Sequence, residues 1–351
     1  MTPVAQPDLP PAPEAAALPV IIHTHLHHRH TGASSHVEAI VPALRQAGVE
    51  AWAFGTSLRA TLPRLEFGAL WRRLRTGAVV MHVHRNNELL FALALRLFAR
   101  ALTIVMTRHT GAPPSRFTRW LVARADRLIC LTPDQLPHLP PDSEVLGHGV
   151  DTARFVPPQN RDEAWRQLGL PGRYGIGVVG RIRPAKGQGD FAEAIAPLLP
   201  AHPDWHVALV GWTAPKDQPF AADIAHRLGP RVTLAGEHAD ILPWYQGLTV
   251  LVHPSHTEGY SLVLLEAMAA GCCVVASALP YTRGLVHHGQ NGFLFPPHDR
   301  EALRRILAEI LADPVRAQRI GRAAAEDARA RLGIDGEARR LIDVYRRARP
   351  R

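Results

Sequence analysis

The 351-residue chain holds two lysines, Lys186 and Lys216, among 40 Lys and Arg. Lys186 lies in Gly180-Arg-Ile-Arg-Pro-Ala-Lys186-Gly187, after a strand-like run (Tyr174 to Val179) and before a helix-like run (Asp190 to Leu199). A compact ammonium at that place, in a chain that otherwise uses arginine, suits a phosphate contact at a helix start. Further along stands Glu258-Gly-Tyr-Ser-Leu-Val-Leu-Leu-Glu266, preceded by a second strand-like run, Leu248 to His253. A helix is expected to open near Glu258, which would set the two carboxylates roughly 12 Å apart along its axis. That is the span between the sugar hydroxyls and the ribose hydroxyls of a nucleotide sugar. Glu258 would then accept hydrogen bonds from the sugar and Glu266 from the ribose. Free amides near Gly259, Tyr260 and Ser261 would face the diphosphate, helped by the helix dipole. Taken singly, Lys186 also reads as an ordinary loop cation, Glu258 as a first-turn acid and Glu266 as a solvated helix residue.

The order Gly149-Val-Asp-x2-Arg-Phe155, Gly180-Arg-x4-Lys-Gly187 and Glu258-x7-Glu266 resembles the retaining nucleotide-sugar glycosyltransferases of family 4, which share the GT-B fold. The resemblance runs from about Leu18 to Arg346 and is strongest over Gly175 to Pro297. Within the family, Ser115 to Leu121, His148 to Thr152 and Leu199 to Trp205 are similar to lipopolysaccharide core mannosyltransferases. Two positions depart from the pattern: Ser261 stands where a glycine is frequent, and Gly284 where a glutamate is common.

The resemblance implies an α/β chain of two Rossmann-like domains facing each other across a cleft. Its divisions fall at 1–17 (a disordered lead), 18–150 (the acceptor side), 151–332 (the nucleotide-sugar side) and 333–351 (a helix packing back on the first domain). It implies a donor pocket of Arg181, Lys186, Glu258 and Glu266. Many glycosyltransferases hold a metal with Asp-x-Asp; that tripeptide is absent here, so Arg181 and Lys186 are expected to stabilise the departing phosphate with no metal or other cofactor. His109, just past a strand-like run, matches a family histidine beside the transferred sugar, though a capping or core role is the alternative. Gly32 matches a phosphate-approaching glycine loop. The implied activity is transfer of a sugar, mannose by subfamily, from a nucleotide diphosphate sugar such as GDP-mannose to a lipid-anchored glycan such as lipopolysaccharide core. A soluble sugar or sugar-phosphate acceptor, or a degenerate site that only binds anionic glycans, remain as alternatives.

Composition sets bounds on these readings. The length favours two domains, and 46% hydrophobic residues suffice for their cores. A net charge of +9 favours anionic partners, but scattered arginines and 6% aromatics, with no reading motif, argue against nucleic acid. Three cysteines, Cys130, Cys272 and Cys273, make no disulfide framework and fit a reduced compartment. The expected location is cytoplasmic, peripheral to an anionic membrane such as the cytoplasmic face of an inner membrane.

Strand-like and helix-like runs alternate throughout, which calls for parallel sheets covered on both faces, with ligands at the carboxyl ends of strands. Leu89 to Met106 reads as a buried helix followed by a strand rather than a membrane span. Five arginines (Arg59, Arg64, Arg72, Arg73, Arg75) interleave with apolar residues from Leu58 to Leu74. This stretch suits either an anionic membrane or a helix with a solvated arginine face. His23, His25, His27, His28, His30 and His36 crowd one loop, read as polar lining of the acceptor cleft more readily than as a zinc site.

Overall fold

A computed structural model describes residues 18–28 and 31–350; the expected disordered lead, and His30, lie outside the described residues. Twelve strands form two parallel six-stranded sheets. The first holds β1 (Val20–His25), β2 (Ala51–Gly55), β3 (Val79–Val83), β4 (Leu102–Arg108), β5 (Arg127–Cys130) and β6 (Glu144–Val145), in the order β2-β1-β3-β4-β5-β6. The second holds β7 (Tyr174–Val179), β8 (Trp205–Val210), β9 (Val232–Gly236), β10 (Leu248–His253), β11 (Cys273–Ser277) and β12 (Phe293–Phe295), in the order β12-β11-β10-β7-β8-β9. Every residue of β3, β4, β8, β10 and β11 is buried, as near-continuous apolar runs require when helices cover both faces. The two sheets with their helices form the expected GT-B architecture.

Strand order reverses between β1 and β3 in the first sheet and between β7 and β10 in the second. At such a switch point the loops leaving neighbouring strands diverge and open a crevice. The loop after β7 carries Lys186, and the loop after β10 carries Glu258. Both are therefore delivered to one crevice by topology alone.

The chain crosses between the two sheets twice, and the crossings are stitched together. Val150 donates its amide to Leu332 O at 2.8 Å, and Ile334 donates to Val150 O at 2.9 Å. Beyond that bridge, the helix Ile334–Arg347 packs against the helix Gly32–Gln46 of the first half. Its Ile334, Ala338, Leu341, Ile342, Val344 and Tyr345 belong to the same buried cluster as Ile21, Val37, Ile40 and Leu44. Each Leu- or Ile-sized side chain so buried contributes about 1.5–3 kcal/mol, so the last helix is integral to the first half's core.

The apolar stretch from Leu89 resolves into the helix Asn86–Arg96 followed by β4, and no helix among the described residues is long and apolar enough to cross a membrane. The arginine-rich stretch is only partly one helix: Phe67–Thr76 is helical and buries Leu70 and Leu74, while Leu58 and Leu62 enter the core from the loop before it. All three cysteines are free and buried.

Candidate active site

Between the halves lies a cavity of about 680 Å³. Gly32, His84, Arg85, His109 and His148 line it from the first half, and Glu258, Tyr260 and Leu262 from the second. Of the residues expected to bind the donor, Gly32, His109, Glu258 and Tyr260 thus line one cavity. Gly32 is the first residue of its helix, and a side chain there would point into open space, which leaves room for a ligand to approach the backbone.

The two halves touch where His109 meets the loop after β10. A Cβ on Gly259 would lie 2.0 Å from His109 O, so only glycine lets that loop reach the first half. Gly187 is likewise obligatory: its φ is +73°, and a Cβ would lie 1.9 Å from Pro254 O. That left-handed glycine ends the short turn Pro184–Lys186 and caps the helix Gln188–Ile195, and so aims Lys186 across the crevice. The Lys186 ammonium is ion-paired with the Glu258 carboxylate, both side chains about four-fifths buried at 19% and 21% relative exposure. Beside them burial, reinforced by the Lys186 charge, holds the His253 imidazole down at about 3, so of this histidine and Lys186 the lysine carries the charge.

The helix expected to open near Glu258 begins at Leu262, with Ser261 as its N-cap. Glu258, Gly259 and Tyr260 form a loop instead, because Gly259 must bend against His109. The 12 Å helical ruler between the glutamates therefore does not apply. Glu266 lies in the second turn, accepts the Tyr245 hydroxyl at 2.8 Å, and is partly buried; burial pushes its carboxyl up to about 7. Arg181 is exposed, with its guanidinium 5.0 Å from the centroid of the Trp212 ring. Arg181, Lys186, Gly259, Ser261 and Glu266 surround the crevice on the second-half side without lining the cavity itself.

The histidine-rich region behaves differently from the expected cleft lining. His23, His25 and His36 are buried. His25 bonds Ser34 Oγ and Thr56 O, both at 2.8 Å, pinning the loop after β1. His23 joins His82, His84, His109 and His148 in a continuous hydrogen-bonded series that ends on Glu337, carried by the last helix. Burial holds all five imidazoles well below their ordinary value, with His23 at about 3 and His148 at about 4. Glu337 is held well below the usual carboxylate range, its burial outweighed by His36 and His148. Sequence reading gave His148, Glu337 and Tyr345 no role. The alternation His23/His25 and His82/His84 was a visible signal for one face of two neighbouring strands, but Glu337 is 189 positions from His148 and had none.

Residues 173–313 match the family described as Glycosyl transferases group 1. The lipopolysaccharide core biosynthesis mannosyltransferase LpcC of Rhizobium leguminosarum bv. viciae is 34% identical over 335 residues, 93% of this chain and 95% of that protein. The chain belongs to the group 1 glycosyltransferases. The core mannosyltransferase LpsB of Rhizobium meliloti (strain 1021) is 32% identical over 90% of this chain and 94% of its own length. Among solved structures, Anabaena Alr3699/HepE in complex with UDP superimposes with a TM-score of 0.78 at 20% identity, covering 93% of this chain and 99% of that one. That likeness speaks for the GT-B fold. This glycosyltransferase therefore has its cavity where the two Rossmann-like halves of such a fold meet.

Proposed function

We propose that this enzyme transfers mannose from GDP-mannose, or another nucleotide diphosphate sugar, to a lipid-anchored glycan of the lipopolysaccharide core type, with retention of anomeric configuration. The observation that carries the reading is the end-to-end similarity to two core mannosyltransferases, joined to a crevice that pairs Lys186 with Glu258. In this reading the donor diphosphate takes Lys186 from Glu258, and Arg181 adds a second cation. Glu258, released, accepts from the sugar hydroxyls, while Glu266 accepts from the ribose. The bond between the anomeric carbon and the phosphate oxygen breaks as the acceptor hydroxyl attacks from the same face. Its proton passes to the departing phosphate oxygen, whose charge Lys186, Arg181 and the loop amides of Gly259 to Ser261 stabilise.

The acceptor lies on the first-half side, where Arg85, Asn86 and Asn87 reach the cavity and offer a cation and two amides to an anionic glycan. A membrane contact fits the same face. Helix Arg116–Val122 supplies Thr118 to the cavity wall and turns Phe117 (56% exposed) and Trp120 (53% exposed) outward. Arg124 lies over the Trp120 ring, 3.4 Å from its centroid. Exposed aromatics beside arginines suit the interface of an anionic membrane, where a lipid-anchored acceptor is presented.

A thermal-shift screen of nucleotide diphosphate sugars, followed by transfer to core acceptor, tests the reading. A donor at 100 times its dissociation constant adds about 2.7 kcal/mol of stability. Stabilisation by GDP-mannose with hexose transfer supports it; stabilisation by no nucleotide sugar, or binding without transfer to any glycan, overturns it.

A further inference from the structure

Eight side chains lie in one hydrogen-bonded run from the floor of the first sheet to the cavity and on to the last helix. Thr107 Oγ1 and His82 Nε2 are 2.7 Å apart, and His82 Nδ1 and the Tyr345 hydroxyl 2.7 Å. The Tyr345 hydroxyl meets His23 Nε2 at 3.1 Å, and His23 Nδ1 meets His84 Nε2 at 3.2 Å. His84 Nδ1 meets His109 Nε2 at 3.0 Å, and His109 Nδ1 meets His148 Nε2 at 3.1 Å. His148 Nδ1 ends the run on Glu337 Oε1 at 3.1 Å. The same oxygen takes His36 Nε2 at 2.7 Å, and Oε2 accepts the Gly149 amide at 2.6 Å.

The direction of the run is dictated by its end. An ionised carboxylate only accepts, and a neutral imidazole carries one proton. Glu337 therefore fixes the His148 proton on Nδ1, which leaves Nε2 to accept. His109 must then donate from Nδ1, His84 from Nδ1 and His23 from Nδ1. Tyr345 donates to His23 and accepts from His82, which accepts from Thr107. No other assignment gives each contact one donor and one acceptor. Burial and mutual repulsion keep the rings uncharged, and on the cavity side Arg85 adds to that repulsion at His109.

We propose that Glu337 is a positioning residue for sugar transfer: through His148 it holds His109 at the cavity wall in one tautomer and one orientation. The inference rests on the proposed function only in taking the cavity as the place of transfer. Its consequence there is steric and electrostatic. His109 O abuts Gly259 of the donor loop, so locking the His109 ring also fixes where the halves meet. Both His109 ring nitrogens are occupied within the run, so the ring meets the sugar as a neutral wall rather than as a proton donor. A carboxylate that holds an imidazole in the working tautomer matters greatly in other enzymes, where losing it costs up to about 10⁴-fold in turnover.

The test is Glu337→Gln. Gly149 N–H demands an acceptor, so the amide oxygen turns to it and the NH₂ faces His148 and His36. A donor at that place reverses the run, moving the His148 and His109 protons to Nε2. Protein labelled with ¹⁵N in its imidazoles reports the tautomers directly. The expected result is His109 protonated on Nδ1 in the wild type and on Nε2 in Glu337→Gln, with kcat down about tenfold or more and the donor KM within about twofold. Tyr345→Phe cuts the run on the far side of His23 and should leave the His109 proton on Nδ1. A wild-type His109 that is doubly protonated or protonated on Nε2 overturns the proposal, as does a folded Glu337→Gln that keeps the wild-type tautomer. Should Glu337→Gln fail to fold, the wild type and Tyr345→Phe still decide it, because loss of the Nδ1 proton in either is incompatible with control from Glu337. Absence of transfer from every donor would sink the proposed function while leaving the tautomer result standing.

Discussion

Lys186 and Glu258, 72 positions apart, neutralise each other at the switch point of the second sheet. The pairing stores an opposite-charge couple where a diphosphate and a sugar are expected to arrive together. The pair leaves neither charge uncompensated in the empty enzyme, and in the proposed function each partner leaves the other to meet its half of the donor. For a couple about four-fifths buried this matters, because breaking it without a substitute leaves a poorly solvated charge.

Lys186→Ala and Arg181→Ala should each lower turnover by about 100-fold or more, with the fold retained, because each removes a fixed cation from the departing phosphate. Lys186→Arg should also be impaired, since a planar fork does not reproduce a compact ammonium on Glu258 or on phosphate. Steady-state kinetics beside a thermal melt check this. Near-normal turnover in the alanine variants would remove both residues from the phosphate.

Glu266→Ala should mainly weaken binding of the nucleoside diphosphate, whereas Glu258→Ala should leave that binding nearly intact and slow transfer. The Glu266 carboxyl, pushed up to about 7 by burial, accepts from ribose hydroxyls best when ionised. Affinity for the nucleoside diphosphate should therefore rise from pH 6 to pH 8 in the wild type and be flat in Glu266→Gln. Isothermal calorimetry with the sugar-free nucleotide measures both. A Glu258→Ala variant that no longer binds it would reverse the assignment of the two carboxylates.

Activity should survive EDTA. The sequence lacks Asp-x-Asp, and Arg181 and Lys186 are the cations proposed to meet the developing phosphate charge. Complete loss in chelator, restored by magnesium or manganese, would redirect attention to His36, His148 and Glu337, whose ligand atoms lie within 4.8 Å of one another.

The melting temperature should fall steeply on acidification from about pH 6.5 and change little above pH 7. Seven imidazoles are held below their unfolded value of 6.5, among them His23 and His253 to about 3 and His148 to about 4. Between those values and 6.5 the unfolded chain binds more protons than the folded one, so stability rises with pH across that window. Glu337, lowered by its histidine partners despite burial, adds to the loss once the pH drops through 4.5. Glu266, raised from 4.5 to about 7, acts oppositely as one group against seven. A melting temperature that is flat or rises from pH 7 to pH 5 would mean the imidazoles are not buried neutral.

The parallel sheets were legible because buried strands such as Val79–Val83 and Leu248–His253 are mostly apolar runs between turn signals. Short strands such as Glu144–Val145 and Phe293–Phe295 carry too few residues to show a period. The Glu258 loop misled for a local reason: Glu-Gly-Tyr-Ser reads as a helix start, yet Gly259 is needed to pass His109, a contact between halves that no local pattern contains. Glu337 was invisible for the same physical cause, since its partners His36 and His148 are brought to it by the crossing at Val150 and Gly333.

The most direct measurement is the proton NMR spectrum of the product formed from GDP-mannose and a lipopolysaccharide core acceptor by the purified enzyme. The expected result is one added mannose whose anomeric signal and coupling match the configuration of the donor, formed much more slowly with Glu258→Ala. An inverted anomer, or no mannose transferred while another nucleotide sugar is turned over, would contradict the proposed retaining mannosyl transfer.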